Sequence, residues 1–488
     1  MSNPDPVQPD RRDARPARGP SLGSRIGLTL ARGLVGRRFT KSFAHLRASV
    51  GMSIDELHAR QEARIRALVR HAVTTVPFWR DAATALGMQP GDVRGRADLV
   101  ALPVVDKAVF RSRPLGDFLA EGLPEHRRIR FTTSGSTGDP FVFMLDRRAM
   151  PIVFASHLFF DWQQGLDAFD RSIRIQGPPA PTPPLPEGTP AIARIKAVAQ
   201  QRMQAGYERL VVRRLSTLEA NPDRVRSLIE SFQPIYLLGY TSTLAVLAEE
   251  FLRIGYRPSR PLRTVVTIAE TLTPERRAAL EAAFGAPIAN RYGQREFKFW
   301  CAQSPPGDPT RFHVHPELVV FETLTKSGAA AAPGEIGRVV LTSLHNEVMP
   351  FLRYDTGDLA SQLPPDGSSP FPVMGRLDGR TQEILSMPSG GSLDATTVGH
   401  MLFVVGSFAE SVRLYQVVQD APDHLRLRLV PRRSPDPALA AAVGDALTKI
   451  AGPGVRVSTE FVDDIPLERS GKRPILVAFR GKATTHVG

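Results

Sequence analysis

The run Thr132-Thr133-Ser134-Gly135-Ser136-Thr137-Gly138-Asp139-Pro140 places hydroxyls and glycines between two apolar stretches. Gly135 and Gly138 can adopt positive φ and let the backbone approach an anion with no Cβ in the way. Successive amides in such a turn form an anion-binding concavity, and Thr133, Ser134, Ser136 and Thr137 add hydroxyl donors. No Gly-Lys-Ser/Thr closes the run, so it is not a Walker loop. Taken alone, the same composition also describes a surface linker. What accompanies it decides between the two.

Five further segments follow in order. Thr267-Ile268-Ala269-Glu270-Thr271-Leu272-Thr273-Pro274 comes after the apolar run Leu262–Val266 and before a helical pattern. That puts it at the C-terminal end of an expected strand, the edge at which open α/β sheets bind ligands. Next come Asn290-Arg291-Tyr292-Gly293-Gln294-Arg295-Glu296 and Arg353-Tyr354-Asp355-Thr356-Gly357-Asp358. Gly375-Arg376-Leu377-Asp378-Gly379-Arg380 and Pro466-Leu467-Glu468-Arg469-Ser470-Gly471-Lys472 complete the set.

In this order the segments resemble those of the adenylate-forming superfamily: acyl-CoA synthetases, luciferases and peptide-synthetase adenylation domains. Within it the chain is similar to the phenylacetate–CoA ligase and CapK branch, through Leu68–Ala72, Val76–Arg80, Leu102–Val104 and Leu344–Phe351. The resemblance covers about residues 45–480. It implies ATP-dependent activation of a carboxylic acid as an acyl-adenylate, with pyrophosphate released. The acyl group then passes to CoA or, in an amide-forming variant of the same chemistry, to an amine. An aromatic or otherwise planar acid is a family-level expectation, and a homodimer is compatible with it.

The resemblance also assigns roles. Thr133, Ser134, Gly135, Ser136, Thr137 and Gly138 would hold the β- and γ-phosphates, with Glu296 and, through the phosphates, Thr137 serving a Mg²⁺ ion. One carboxylate plus phosphate oxygens is a usual arrangement for that cation. Tyr292 offers a ring to adenine, Gly293 the tight turn, and Ala269 and Glu270 border the same base. Asp358 can accept from both ribose hydroxyls. Arg380 would bind ribose or phosphate near a hinge, where a planar fork suits phosphate. Tyr240 and Arg291 would line the acyl cavity. Lys472 is the expected catalytic residue, reaching the substrate carboxylate and ribose oxygens in the transition state. A preorganised donor of that kind is typically worth about 10²–10³ in rate. Only eight of the 62 basic residues are lysine, which makes one at this place more telling.

The departures are specific. Asp139 stands where the family's phosphate loop often carries lysine, and Gln294-Arg295 replaces the small hydroxyl residue usual before the glutamate. Some relatives carry a cysteine cluster near the Arg380 region; this chain has Cys301 alone, so no structural zinc is expected there. His313 and His315 with Glu317 could mimic a metal cluster, but His-x-His on a strand puts both rings on one face of any ordinary sheet.

The elements that must position these residues follow from periodicity and composition. Ile54–Val73 has helical spacing, with Leu57, Ile65, Leu68 and Val69 on one side. Strand text near residues 235–238, 264–268, 318–322 and 338–342 alternates with helical text, which implies an α/β core. Beyond Arg380, short strands and helices make a compact α+β unit. The expected fold is therefore a large α/β N-terminal domain with mixed sheets, plus a small mobile α+β domain. The boundaries are a disordered basic tail at 1–24, the large domain at 25–380 and the small domain at 381–488, hinged near Thr381–Glu383. The proline-rich stretch 177–190 must be a loop.

The chain has 488 residues and a formal net charge of +13. Its basic residues are dispersed and aromatics are 7%, which disfavours a nucleic-acid platform. The charge would instead favour anionic substrates such as ATP or CoA. No apolar run of 18 or more residues occurs, so no membrane span is expected, and a cytoplasmic location is. Three readings stand: an acid–CoA ligase, an acid–amine ligase, and a non-catalytic nucleotide- or nucleic-acid-binding protein.

Overall fold

The computed structural model describes residues 37–132, 141–167, 170–176, 208–212, 222–305, 307–308, 310–365, 367, 369–377, 385–389, 392–393, 395–403, 405, 408–466 and 473–479. Its first helices are α1 (Arg37–Ser49), α2 (Ile54–Thr75) and α3 (Pro77–Ala85). α2 starts at a capping box: the Glu56 amide donates to Ser53 Oγ at 3.2 Å, and the Ser53 amide donates to Glu56 Oε2 at 2.8 Å. Its expected apolar stripe of Leu57, Ile65, Leu68 and Val69 is buried. The short α4 (Lys107–Arg111) is capped by Asp106, which accepts from the Val109 amide.

Strands β1 (Arg128–Thr132) and β2 (Val142–Asp146) pair antiparallel with Thr132 opposite Val142. The hydroxyl- and glycine-rich run is therefore the connection between two adjacent strand ends. α5 (Met150–Gln163) follows.

Then come β3 (Ser172–Gln176), β4 (Glu208–Val212), α6 (Pro222–Phe232), β5 (Tyr236–Tyr240), α7 (Thr241–Arg253), β6 (Thr264–Ile268), α8 (Pro274–Phe284) and β7 (Ile288–Gln294). From β4 onward strands and helices alternate, which yields parallel strands because each helix carries the chain back to the start of the next strand. The order β4-β3-β5-β6-β7 is parallel throughout. Residues 299–374 add β8 (Phe299–Gln303), β9 (Phe312–Val314), β10 (Val319–Leu324), β11 (Ile336–Ser343), β12 (Tyr354–Leu363) and β13 (Val373–Met374). They extend the sheet antiparallel, giving eleven strands in the order β10-β11-β12-β13-β9-β8-β7-β6-β5-β3-β4. The strands expected from periodicity are found as β5, β6, β10 and β11. The mixed α/β class is thus observed.

After these come β14 (Leu385–Ser386), β15 (Ser392–Leu393), α9 (Ala395–Phe403), α10 (Phe408–Ser411), β16 (Val412–Ala421), β17 (His424–Pro431), α11 (Pro437–Ala451), β18 (Arg456–Phe461) and β19 (Leu476–Val477). β18-β17-β16-β19 form a four-stranded sheet with an apolar cluster of its own, including Val417, Leu427, Val443 and Leu447. Arg432 of this unit pairs with Glu249 on α7 at 2.9 Å. No helix among the described residues is long and apolar enough to cross a membrane.

Candidate active site

The C-terminal ends of β5, β6 and β7 lie side by side, with Tyr240 opposite Ile268 and Ile268 opposite Arg291. The chain leaves β6 through Ala269, whose φ of +66° is sparsely populated for a residue with a Cβ. Glu270 then turns its carboxylate onto the N-terminus of α7, accepting from the Ser242 amide at 2.6 Å and from Ser242 Oγ at 3.1 Å. A carboxylate is favoured there because the first helical amides have no partner within the helix. Thr273 caps α8 and Pro274 occupies its first turn, so the Thr-Leu-Thr-Pro text is the local code for that helix start.

Gly293 sits where β7 presses closest on β8. A Cβ built on it would lie 2.7 Å from the Phe299 carbonyl oxygen and 2.9 Å from the Trp300 ring. Glycine is needed here for close strand approach. Beside it, Tyr292 is 6% exposed, and its hydroxyl donates to Asp358 Oδ2 at 2.7 Å. Gln294 Nε2 donates to both, at 2.8 Å to the Tyr292 hydroxyl and 2.7 Å to Asp358 Oδ2. Burial, and then the adjacent Asp358 charge, push the Tyr292 phenol well above its ordinary pKa, so it stays a donor. Two segments 66 residues apart thus meet through one buried network. The polar contact the structure gives Tyr292 is made by its hydroxyl, while its ring packs in the core.

Glu296 is 1% exposed in the turn after β7. Lys107 Nζ lies 2.8 Å from its Oε1, and the Tyr354 hydroxyl donates to the same oxygen at 3.1 Å. Lys107 is delivered by the backbone. The Val105 amide donates to the Arg353 carbonyl at 3.1 Å, and the Asp355 amide donates to the Val105 carbonyl at 2.8 Å. Lys107 and Gln294 escape sequence reasoning: the first is one of eight lysines, and the second stands where the resemblance fails. The pairing of Val105 with Tyr354 is non-local and has no sequence signal.

Within Arg353–Asp358, alternation sorts the roles. Tyr354, Thr356 and Asp358 share one face of β12. Arg353 binds Glu322 at 3.1 Å and donates to the Leu102 carbonyl at 2.7 Å, while Asp355 pairs with Arg338. Gly357 takes a φ of +75°.

Arg291 shares the sheet face of Tyr240, the opposite one from its neighbour Tyr292. Its Nη2 lies 2.7 Å from Asp161 Oδ1 on α5, and its Nε donates to Gln303. The structure therefore gives Arg291 a buried partner of its own. The histidine pair also differs from the expectation of two rings on one strand. Only His313 lies on β9; His315 falls in the turn beyond it, 3.3 Å from Ser49 Oγ and against Phe159 and Phe371. The Glu317 carboxylate binds His45 at 2.7 Å and Arg60 at 3.2 Å, while its amide donates to His315 Nδ1 at 3.3 Å. Among the described residues, no group of three or more metal-ligating side chains could hold an ion.

Thr133–Gly138, Asp139, the 177–190 loop, Arg380, the Thr381–Glu383 hinge and Lys472 lie outside the described residues, as does the 1–24 tail.

Comparisons with known proteins follow this geometry. Residues 389–478 match the model of the CapK C-terminal domain. The chain is 29% identical over 344 residues to phenylacetate-coenzyme A ligase of Aromatoleum evansii, which spans 68% of this chain and 72% of that one. It is 24% identical over 357 residues to Protein CapK of Staphylococcus aureus, across 72% and 74% of the two chains. A crystal structure of 2-hydroxyisobutyryl-CoA ligase in the postadenylation state, with an acyl-AMP bound, superposes with a TM-score of 0.69 at 17% identity. It covers 88% of this chain and 91% of that one, and shows the shared fold.

Proposed function

We propose that this homologue of phenylacetate–CoA ligase and CapK activates a carboxylic acid with ATP and transfers the acyl group to the thiol of CoA. In the first step, a carboxylate oxygen bonds to the α-phosphorus and the bond to the bridging β-phosphate oxygen breaks, releasing pyrophosphate. In the second, the thiol sulfur bonds to the acyl carbon, AMP leaves, and the thiol proton is lost to solvent. The observation that carries the reading is the convergence of Tyr292, Gln294 and Asp358, with Glu296 held by Lys107 and Tyr354 beside them.

Each residue then has a task. Asp358 accepts from the ribose hydroxyls, and Tyr292 and Gln294 hold its carboxylate in place from behind. Ala269 and Glu270 border the base at the end of β6. The hydroxyls and amides of Thr133–Gly138 receive the β- and γ-phosphates, and Arg380 assists from the hinge. Glu296 fits Mg²⁺, since it is a buried oxygen donor beside which phosphate oxygens complete the ligand set; bound there, the ion would neutralise the triphosphate. Tyr240 and Arg291 lie on the face assigned to the acyl group, with Arg291 acting through its pair with Asp161. Lys472 supplies a donor to the carboxylate and ribose oxygens as the α-phosphorus is attacked.

The test is acid-dependent ATP–pyrophosphate exchange over a panel of carboxylic acids, in the wild type and in Lys472→Ala. Exchange should occur with a subset of acids and fall about 10²–10³-fold in the variant while the fold is retained. Product mass with CoA, set against a panel of amines, identifies the acceptor. Exchange indifferent to Lys472→Ala removes that residue from catalysis. Absence of exchange with every acid refutes the ligase reading.

A further inference from the structure

We propose that Ser242, in the first turn of α7, is a positioning residue for the nucleotide: through Glu270 it fixes the backbone turn at Ala269 that borders the base. The inference rests on the ligase reading above and adds to it a residue to which no sequence motif gave a role.

Helix α7 begins directly at the end of β5, with Tyr240 as its N-cap. A tyrosine has no short oxygen to offer the first helical amides, and its side chain makes no capping hydrogen bond. The cap comes instead from the segment that leaves β6. Glu270 accepts from the Ser242 amide through Oε2 at 2.6 Å and from Ser242 Oγ through Oε1 at 3.1 Å, so one residue holds both carboxylate oxygens. Thr241 Oγ1 donates to the Glu270 carbonyl at 3.1 Å, which holds the main chain as well. Thr241 and Ser242 are buried, which limits competition by water for these bonds.

The residue next to this clasp is the strained one. Ala269 has a φ of +66°, in the left-handed region that disfavours a residue with a Cβ. Such a conformation persists where its surroundings over-determine it, and it clusters at functional sites. Packing of the methyl group does not hold it, because Ala269 is exposed. Its two neighbours do. Ile268 is fixed in the sheet, opposite Tyr240 on one side and Arg291 on the other, and Glu270 is fixed on α7. Ala269 is the single residue between these two fixed points. Releasing Glu270 would let Ala269 return to a commoner conformation and carry the border with it. A border made of main chain distinguishes bases by where its amide and carbonyl lie, and a displacement of about 1 Å can cost as much as about 10²-fold. Ser242 therefore acts on the base through Glu270 and Ala269.

The experiment compares wild type, Ser242→Ala, Glu270→Gln and the double variant Ser242→Ala/Ala269→Gly as full-length proteins. Acid-dependent pyrophosphate exchange is measured with ATP and with GTP, and thermal melts are recorded with and without Mg-ATP. Loss of the hydroxyl bond to a charged group should raise the apparent KM for ATP roughly three- to tenfold in Ser242→Ala. The preference for ATP over GTP should narrow, and the KM for the acid should hold. Glu270→Gln keeps an acceptor for the Ser242 amide but loses the charge, and should shift the same quantities in the same direction. It is near-isosteric and only half-buried, so it decides the question if Ser242→Ala melts too early to assay. Glycine adopts positive φ without strain, so adding Ala269→Gly should recover part of the ATP affinity lost in Ser242→Ala. A lower melting temperature with unchanged KM for ATP and unchanged nucleotide preference marks a cap that only stabilises the helix, and overturns the proposal. An equal rise in the KM for the acid overturns it too. If wild type shows neither exchange nor a Mg-ATP-induced shift, the ligase reading itself has failed and this role falls with it.

Discussion

Replacing Tyr292 with Phe removes one oxygen and leaves the ring, so it isolates what the hydroxyl does. In the structure that oxygen donates to Asp358 at 2.7 Å and accepts from Gln294 at 2.8 Å, with all three side chains buried. A hydrogen bond to a charged group contributes about 1.5–3 kcal/mol. Gln294 remains on the same carboxylate oxygen and limits the loss, so about 2 kcal/mol of stability should disappear. Freed of one tether, Asp358 would also hold ribose less well. A loss of about 1.4 kcal/mol there corresponds to a tenfold higher KM for ATP. Urea unfolding gives the first quantity, and ATP dependence of pyrophosphate exchange gives the second. Tyr292→Leu, which removes the ring as well, is the control. If the Phe variant matches wild type in both measurements, the positioning role is refuted. If the Leu variant alone loses ATP affinity, the ring face is what the nucleotide uses.

Gly293→Ala should lower stability by about 2–3 kcal/mol, because its Cβ would meet the Phe299 carbonyl oxygen at 2.7 Å and backbone cannot yield as a side chain can; a wild-type melting temperature would contradict this. Arg291→Met should cost about 3–5 kcal/mol by leaving Asp161 charged and buried, and Asp161→Asn in the same chain should recover much of it. Lack of recovery would show that the pair is not the cause. His315 supplies a pH test. Burial pushes its folded pKa down to about 3, against about 6.5 in the unfolded chain. Below pH 6.5 the unfolded chain therefore binds a proton that the folded one does not. Stability is fully present above that pH and should fall by ~3 kcal/mol on going to pH 4. A His315→Gln variant should lose this part of the acid slope, and an unchanged slope would refute it.

What was legible in the sequence is what local chemistry dictates. Helix α2 follows from its apolar stripe, α8 from the helical pattern after Pro274, and the α/β core from apolar runs alternating with helical text. The convergence of Tyr292 with Asp358 was legible only through the order of motifs, since nothing local links positions 66 residues apart. Lys107 was not legible. It reaches Glu296 only because Val105 pairs with Tyr354, and strand register of that kind is decided by the whole sheet. The partner of Arg291 was hidden for the same reason: Asp161 lies on a helix packed across the sheet face.

The Arg353–Asp358 segment shows why motif membership and ligand contact are separate properties. Arg353 precedes β12, and the five residues after it divide between the two faces of the strand, so the six cannot all meet one ligand. Arg353 is tied to Glu322 and the Leu102 carbonyl, and Asp355 to Arg338, which fixes the rotation of β12. That rotation turns Tyr354 to Glu296, and Asp358 to Tyr292 and Gln294. The charged residues of the motif that look most reactive are thus the ones that hold the strand. Substituting Arg353 should act through stability, by stranding a half-buried Glu322, whereas substituting Asp358 should act on ATP affinity. The segment reads as one unit in sequence because either kind of loss removes the same geometry.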